Sequence, residues 1–336
     1  MKVAELKSIL AGRKKEEIIK LAVEFYKLVP KAKKEDYGLD AMILNPEAKK
    51  KKEGRSGMAL MELEIELKRF LENAREQYYL IPNRVVPKKE RSKWRFLVKR
   101  WYKELINAKR KDADLEKQSE LLTDLYNLIC ESCGYQYFSG YDSFQSIGIE
   151  QADFFKSVLE LMQEARGKIA LVEKGPGLIV NNYLNRYTLY SGLMVNLIGF
   201  LDIPDLKEKA IEKTKKMIMA NKFDYKKKEK KRGWSFSNTD YGKKRKHNNL
   251  VEFVFRLYDG LFELDEGVRF FKEYYYDTNE EIKLYVLVAL LFRKGEKDRI
   301  KIELENAIEN GIELRSRLVN LLNEIKSNDR LPEYIR

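Results

Sequence analysis

Basic and aromatic residues alternate in one of two strongly cationic segments of this chain, and their chemistry suits single-stranded nucleic acid. Residues 226–247 hold ten Lys or Arg against Glu229 and Asp240. Cations contact phosphates and aromatic rings stack on bases in proteins that bind single strands. A basic hairpin that binds nothing has the same composition, so both interpretations stay open. The residues expected at such an interface are Lys226, Lys227, Lys230, Arg232, Trp234, Lys243 and Arg245.

The other cationic segment, residues 84–111, is predicted to carry a ladder of cations along one helix that begins near Pro87 and ends near Ala108. It holds twelve Lys or Arg against two Glu. Cations that recur every four residues share a helix face, and such a face can follow nucleic-acid phosphates or an acidic protein surface. A solvated helix with no special role is the alternative. The candidate contact residues here are Lys88, Arg91, Arg95, Lys99 and Lys103.

Trp94 and Trp101 lie in the same helix, but their spacing predicts core rather than base stacking. Together with Leu97, Val98 and Leu105 they recur at helical spacing and form one apolar stripe. A stripe of this kind faces the protein interior. The cations and the tryptophans are therefore expected on different faces of the helix.

No catalytic residue, metal site or cofactor is predicted. Cys130 and Cys133 are spaced to share one helix face, but a structural zinc site takes four ligands and His247 is the only histidine. Two small core residues before the helix-ending Gly134 are the simpler interpretation. Zinc-protease, phosphate-loop and dinucleotide-binding motifs are missing from the sequence. A protein that is not an enzyme is favoured, although a nuclease or hydrolase whose metal-binding carboxylates come from distant helices stays open.

The stretch from Ile169 to Ile203 is the element around which the other helices are expected to pack. Between Leu178 and Ile203 only Arg186 and Asp202 are charged, in a chain that is 35% charged. A helix that is apolar on all sides must be buried, which predicts a central helix or a broken pair of helices. A membrane span is disfavoured because Arg186 and several amides would lie at mid-bilayer.

The net charge of +13 indicates a polyanionic partner or a solvated surface. The two cationic segments together carry more than this whole excess, so the positive charge is concentrated. The N-terminus has no apolar core of the kind that a signal peptide needs, and two cysteines do not make a disulfide framework. These features predict a cytoplasmic protein.

Three motifs near the N-terminus resemble the opening of an uncharacterised bacterial family. They are ELKSIL, EEIIKLAVEFYKL and LNP, and members of that family begin with a Leu-Lys-x-x-Leu helix, a Glu-Glu-Leu helix ending in Leu-Tyr, and a Leu-Asn-Pro stop. The likeness continues loosely to about Met162. It implies an all-helical, repeat-like fold and no activity. This chain has Phe25-Tyr26 where Leu-Tyr is usual, and its Lys49–Arg55 segment is more basic than the family pattern.

The helical periodicity and the few glycines and prolines predict an all-α fold. Stacked antiparallel helical hairpins are expected, either as a HEAT- or TPR-like solenoid or as an irregular bundle. The expected domains are residues 1–167 and 168–336, with a break near Gly175-Pro176-Gly177, unless the chain forms one continuous body. The function that fits is a basic binding protein that contacts nucleic acid. A scaffold whose concave helical surface binds an acidic protein is the alternative, and a metal-dependent hydrolase or nuclease is the third.

Overall fold

The computed structural model describes residues 5, 9–30, 34, 39–44, 60–80, 85–107, 112–140, 142–221 and 238–335. Sixteen helices and no strand lie within these ranges, so the all-α prediction is confirmed. In chain order they are α1 (Lys15–Leu28), α2 (Leu39–Leu44), α3 (Leu60–Arg75), α4 (Lys88–Arg91), α5 (Trp94–Asn107), α6 (Asp112–Gly134), α7 (Ser143–Ile147), α8 (Gln151–Arg166), α9 (Lys168–Val180), α10 (Tyr190–Phe200), α11 (Pro204–Ala220), α12 (Asn238–Asp259), α13 (Leu264–Tyr274), α14 (Glu280–Phe292), α15 (Lys297–Glu309) and α16 (Ser316–Asn328).

The chain divides into two compact units, residues 1–59 and residues 60–336. In the first unit the hydroxyl of Tyr26 in α1 donates to Asp40 in α2. Helix α1 ends just before Pro30, which cannot donate a backbone hydrogen bond to continue it. No residue of α1 is buried. The basic segment Lys49–Arg55 lies outside the described residues.

The helices of residues 60–336 stack in chain order. In the described part of this unit, the substantial contacts between helices join partners at most three places apart in the sequence. Helix α9, for example, packs against α8, α10, α11 and α12, and α12 packs against α11 and α13. This is the neighbour-by-neighbour packing of stacked helical hairpins. The predicted domain boundary at 167/168 falls between α8 and α9, which pack against each other inside this unit.

An aromatic cluster around α5 forms the core at the start of this unit. The ring centroids of Trp94 and Phe138 lie 4.0 Å apart and nearly parallel, and those of Phe70 and Trp101 lie 5.0 Å apart. Trp101 is only 2% exposed. The prediction that the tryptophans belong to the core is confirmed, and they are not available for base stacking.

The central apolar stretch folds as a broken pair of helices, α9 and α10, which is one of the two predicted forms. The Nζ atom of Lys168, which begins α9, lies 2.5 Å from Asp202, which follows α10, so the two helices are antiparallel. Gly175 permits their close approach, because a β-carbon there would lie 2.7 Å from the side chain of Leu197.

Two details of the prediction for this stretch were wrong. Helix α9 continues through Gly175-Pro176-Gly177, and the break comes later, in a loop of residues 181–189. The stretch is also not buried on every side, because Val195 on the outer face of α10 is 57% exposed. Among the described residues, no helix has the length and apolar character that crossing a membrane requires.

Candidate nucleic-acid interface

The cations of the first basic segment take two kinds of position along α4 and α5. Lys88, Arg95 and Lys103 are exposed, whereas Arg91 and Lys99 are half-buried. The Nε atom of Arg91 donates to the carbonyl of Val86 at 2.9 Å, so this arginine holds the backbone just before α4. The exposed cations and Lys99 are free to face a polyanion, whereas Arg91 has a structural role.

Lys99 reaches the turn that follows α7. Its Nζ atom lies 3.4 Å from the position that a β-carbon on Gly148 would take. Gly148 adopts a left-handed conformation with φ 59° and ends α7, which the side chain of Asp142 caps at its other end. Glycine adopts this conformation without the steric cost of a β-carbon. The turn therefore places backbone close to a lysine ammonium.

Gly148 also lines an open cavity of about 600 Å³. One wall of the cavity comes from α7 and the turn between α7 and α8, and the other comes from the loop between α9 and α10. The lining residues are Phe144, Gln145, Gly148, Ile149, Glu150, Asn185, Tyr187 and Thr188. The cavity thus combines aromatic, amide, hydroxyl and carboxylate groups beside a cation.

Gln151, a fully buried side chain of α8, fixes the loop of residues 181–189. Its Nε2 donates to the carbonyl of Tyr183 at 2.9 Å, and its Oε1 accepts from the backbone N–H of Asn185 at 2.8 Å. The Oδ1 of Asn185 in turn accepts from the backbone N–H of Tyr187 at 3.1 Å. These bonds hold Tyr187 at the surface.

Tyr187 presents an exposed ring beside a cation. Its side chain is 62% exposed, and the guanidinium carbon of Arg186 lies 4.7 Å from the ring centroid. A cation over an aromatic face is an attractive contact. Arg186 and Tyr187 therefore form a pair that suits phosphate and base at neighbouring positions of one strand.

Arg245, from the second basic segment, packs against the same loop. Its guanidinium carbon lies 5.7 Å from the ring centroid of Tyr183 and 5.6 Å from that of Tyr190. Gly134 at the end of α6 makes room for Tyr183, since a β-carbon there would lie 2.6 Å from the ring. Arg245 thus contacts the loop on the α12 side, and Lys99 lies beside Gly148 at the opposite wall of the cavity that the loop lines.

The N-terminal half of α12 is anchored at several points, which positions its basic residues. Nε2 of His247 lies 2.7 Å from the carbonyl oxygen of Tyr274, and Lys244 pairs with Asp277 at 2.6 Å. Asn248 bonds both the backbone N–H and the carbonyl of Tyr276. Lys243 remains exposed. Lys226, Lys227, Lys230, Arg232 and Trp234 lie outside the described residues, so their predicted role stays a prediction.

No protein-family model, curated protein or solved structure matches this chain. The resemblance of its opening motifs to a bacterial family therefore stays a prediction. The assignment of a function depends on the arrangement of the side chains.

Of the cysteine pair behind this surface, Cys130 is buried and Cys133 is half-buried. Cys130 and Cys133 are both free thiols. Burial raises the pKa of Cys130 well above its ordinary value, and burial likewise raises the pKa of Cys133 to about 12. Nucleophilic and metal-binding cysteines react as thiolates, so both side chains stay protonated and unreactive near neutral pH. Among the described residues, no group of three potential metal ligands comes together.

The exposed ring of Phe96 and the Arg186–Tyr187 pair were not among the candidates selected from the sequence. Phe96 in α5 is 61% exposed, with the guanidinium carbon of Arg95 5.2 Å from its ring centroid. Arg186 and Tyr187 were treated only as part of an apolar stretch. The signal that could have found them is the Arg-Tyr pair in a stretch otherwise poor in charge, because such a pair has no place in a core.

Proposed function

We propose that this chain binds single-stranded nucleic acid along a surface formed by α5, the turn after α7, the loop of residues 181–189 and the start of α12. The observation that supports this most strongly is that cations from both basic segments lie near one loop that exposes Tyr187: Arg245 contacts the loop, and Lys99 lies at the opposite wall of the cavity that the loop lines. Cations beside exposed rings are the combination that single-strand binding uses. The cations give affinity without sequence specificity.

A single strand fits this surface better than a duplex does. The exposed rings of Phe96 and Tyr187 can stack only on bases whose faces are free, and a duplex offers such faces only at its ends. The cavity beside Gly148 is likewise wide enough for an unstacked base. An acidic protein would use the same cations but would leave the rings and the cavity without a role.

Fluorescence anisotropy of labelled oligonucleotides tests the proposal. A single strand of about twelve thymidines is long enough to span several contacts. We expect it to bind more tightly than a duplex of the same length. Charge reversal of Arg95, Lys99 and Lys103 to Glu should weaken binding at least tenfold, since each neutralised phosphate contact is lost. Arg91 is left unchanged because it holds the carbonyl of Val86.

Charge reversal of Arg293 to Glu is the matched control for the single substitution Arg95→Glu. Arg293 is exposed and follows α14, whose main packing partners are α13 and α15. The control should retain nearly all of the affinity. Absence of binding by the unaltered protein at low salt, or equal loss in the control, would remove the proposal and direct the search to protein partners.

A further inference from the structure

The cavity beside Gly148 contains an acidic group that phosphate binding does not explain. Glu150 lines this cavity and immediately precedes α8. The side chain of Glu150 makes no capping hydrogen bond to α8, in keeping with the preference of this position for the shorter side chains of Ser, Thr, Asp and Asn. Within the described residues no hydrogen bond or ion pair uses the carboxylate. An exposed anion at this point would repel a phosphate, so the cavity suits a group that donates hydrogen bonds better than it suits an anion.

We infer that the cavity is a pocket for one unpaired guanine base, an inference that rests on the proposed function. The Watson–Crick edge of guanine places two N–H donors, N1–H and N2–H, side by side. A carboxylate accepts two such donors at once, one on each oxygen. Adenine, cytosine and thymine each present acceptors next to a single donor group. Those acceptors would be repelled by the carboxylate oxygens.

The other lining groups complete the recognition. The Oδ1 of Asn185 already accepts a bond from the loop backbone, so its amide N–H groups are left to donate to guanine O6. Tyr187 supplies an exposed ring for stacking, as aromatic side chains do for splayed-out bases. Lys99, at the Gly148 edge of the cavity, is placed for the phosphate of the same nucleotide. A duplex cannot use the pocket because its guanine edges are already paired.

The test compares three labelled strands by anisotropy: twelve thymidines, the same strand with one central guanosine, and the same strand with inosine at that position. Inosine lacks only the N2 amine. We expect the guanosine strand to bind about tenfold more tightly than the thymidine strand, since hydrogen bonds to a charged group contribute enough for such a ratio. Inosine should lose most of this preference. A single guanosine also prevents the strand from forming four-stranded structures.

Glu150→Gln provides the decisive variant. The amide replaces one acceptor oxygen by a donor, so the guanosine preference should disappear while thymidine-strand affinity stays the same or rises slightly. Glu164→Gln makes the same change of charge at an exposed position within α8 and should leave the preference intact. Because Glu150 makes no capping bond, both variants should melt like the unaltered protein.

The outcomes separate this inference from the proposed function. Tight binding of all three strands with equal affinity, or a guanosine preference that survives in Glu150→Gln, overturns the guanine pocket and leaves single-strand binding standing. Failure of every strand to bind overturns the proposed function, and the pocket with it. Loss of the preference in Glu150→Gln but not in Glu164→Gln supports the pocket.

Discussion

Tyr187 is the residue whose contribution to binding can be isolated most cleanly. Its ring is exposed, and its backbone is held by Asn185 through a bond that does not involve the ring. We predict that Tyr187→Ala lowers the affinity for single strands by about 1–3 kcal/mol, the range for loss of one base–aromatic stack. The measurement is oligonucleotide anisotropy beside a thermal melt, and the melting temperature should stay constant.

Tyr187→Phe is the control, because it keeps the ring and removes only the hydroxyl. It should bind nearly as well as the unaltered protein. Equal losses in the two variants would show that the hydroxyl, not the stacked ring, makes the contact. A drop in melting temperature for Tyr187→Ala would instead mean that the ring supports the loop.

His247, the only histidine of the chain, is expected to make the free energy of unfolding depend on pH. Burial lowers the pKa of this imidazole below its ordinary value, although the carbonyl of Tyr274 acts in the opposite direction. Below pH about 6.5 the unfolded chain therefore takes up a proton that the folded chain resists. We predict that the free energy of unfolding is constant above that pH and falls by up to about 1.4 kcal/mol per pH unit below it, until the folded pKa is reached.

Urea denaturation at a series of pH values between about 5.5 and 7.5 measures this effect. His247→Gln is the control, since its amide can still donate to the carbonyl of Tyr274 but does not titrate. Its unfolding free energy should vary less across the window. The same slope in both proteins would assign the pH dependence to carboxylates.

At the scale of one element, one face of α5 is expected to contribute to stability and the other to binding. Trp101 is buried among Phe70 and its neighbours, whereas Phe96 is exposed. We predict that Trp101→Ala costs about 3–5 kcal/mol of unfolding free energy, the usual range for truncation of a buried aromatic residue. Phe96→Ala should change stability by less than about 0.5 kcal/mol and weaken oligonucleotide binding. Chemical denaturation of both variants decides, and equal stability losses would contradict the assignment of the two faces.

The apolar stripe of α5 could be predicted from the sequence because it is a local pattern. The burial of Trp94 and Trp101 follows from helical spacing, whichever elements they meet. The same holds for the end of α1 before Pro30. The break in the central stretch was misplaced for a physical reason: Gly175 looks like a helix breaker, but it is where Leu197 packs closely. A packing glycine and a breaking glycine look the same in a sequence.

The site could be predicted only in part, because its residues meet through tertiary packing. Lys99 and Arg245 were both selected as cations, yet nothing local indicates that they lie near the same loop. Gln151 fixes that loop through two hydrogen bonds to residues more than thirty positions away. Contacts at such separations depend on how α6, α8, α9 and α12 pack, and periodicity carries no information about this.

For residues 60–336 taken together, stacking in chain order explains how cations that are far apart in the sequence come to lie near one loop. Helix α9 contacts both α8 and α12, so the loop that follows α9 comes close to elements from both sides of the array. The basic segments on either side then contribute cations to the region around one loop without any long insertion. Many of the other charged residues pair with an opposite charge, as Arg166 of α8 does with Glu116 and Glu120 of α6. Pairs of this kind add little net field.

This concentration of charge predicts how binding depends on salt. Seven cations on or beside the surface are expected to contact phosphates: Lys88, Arg95, Lys99, Lys103, Arg186, Lys243 and Arg245. If all seven contact a single strand, the logarithm of the binding constant should fall with the logarithm of salt concentration with a slope of about −5, at about 0.7 per phosphate. Anisotropy titrations between about 50 and 300 mM salt measure it.

Substitutions then count the contacts individually. Replacing Lys103 or Lys243 with Ala should each reduce the slope by about 0.7, whereas Arg293→Ala should leave it unchanged. Tyr187→Ala should lower affinity at every salt concentration without changing the slope, because stacking releases no counterions.

A slope near zero in the unaltered protein would mean that its excess charge serves solvation, whatever the affinity. A slope of the predicted size that no single substitution reduces would place the phosphates elsewhere, and the residues outside the described part of the chain, Lys226 to Arg232, would then be the next to substitute.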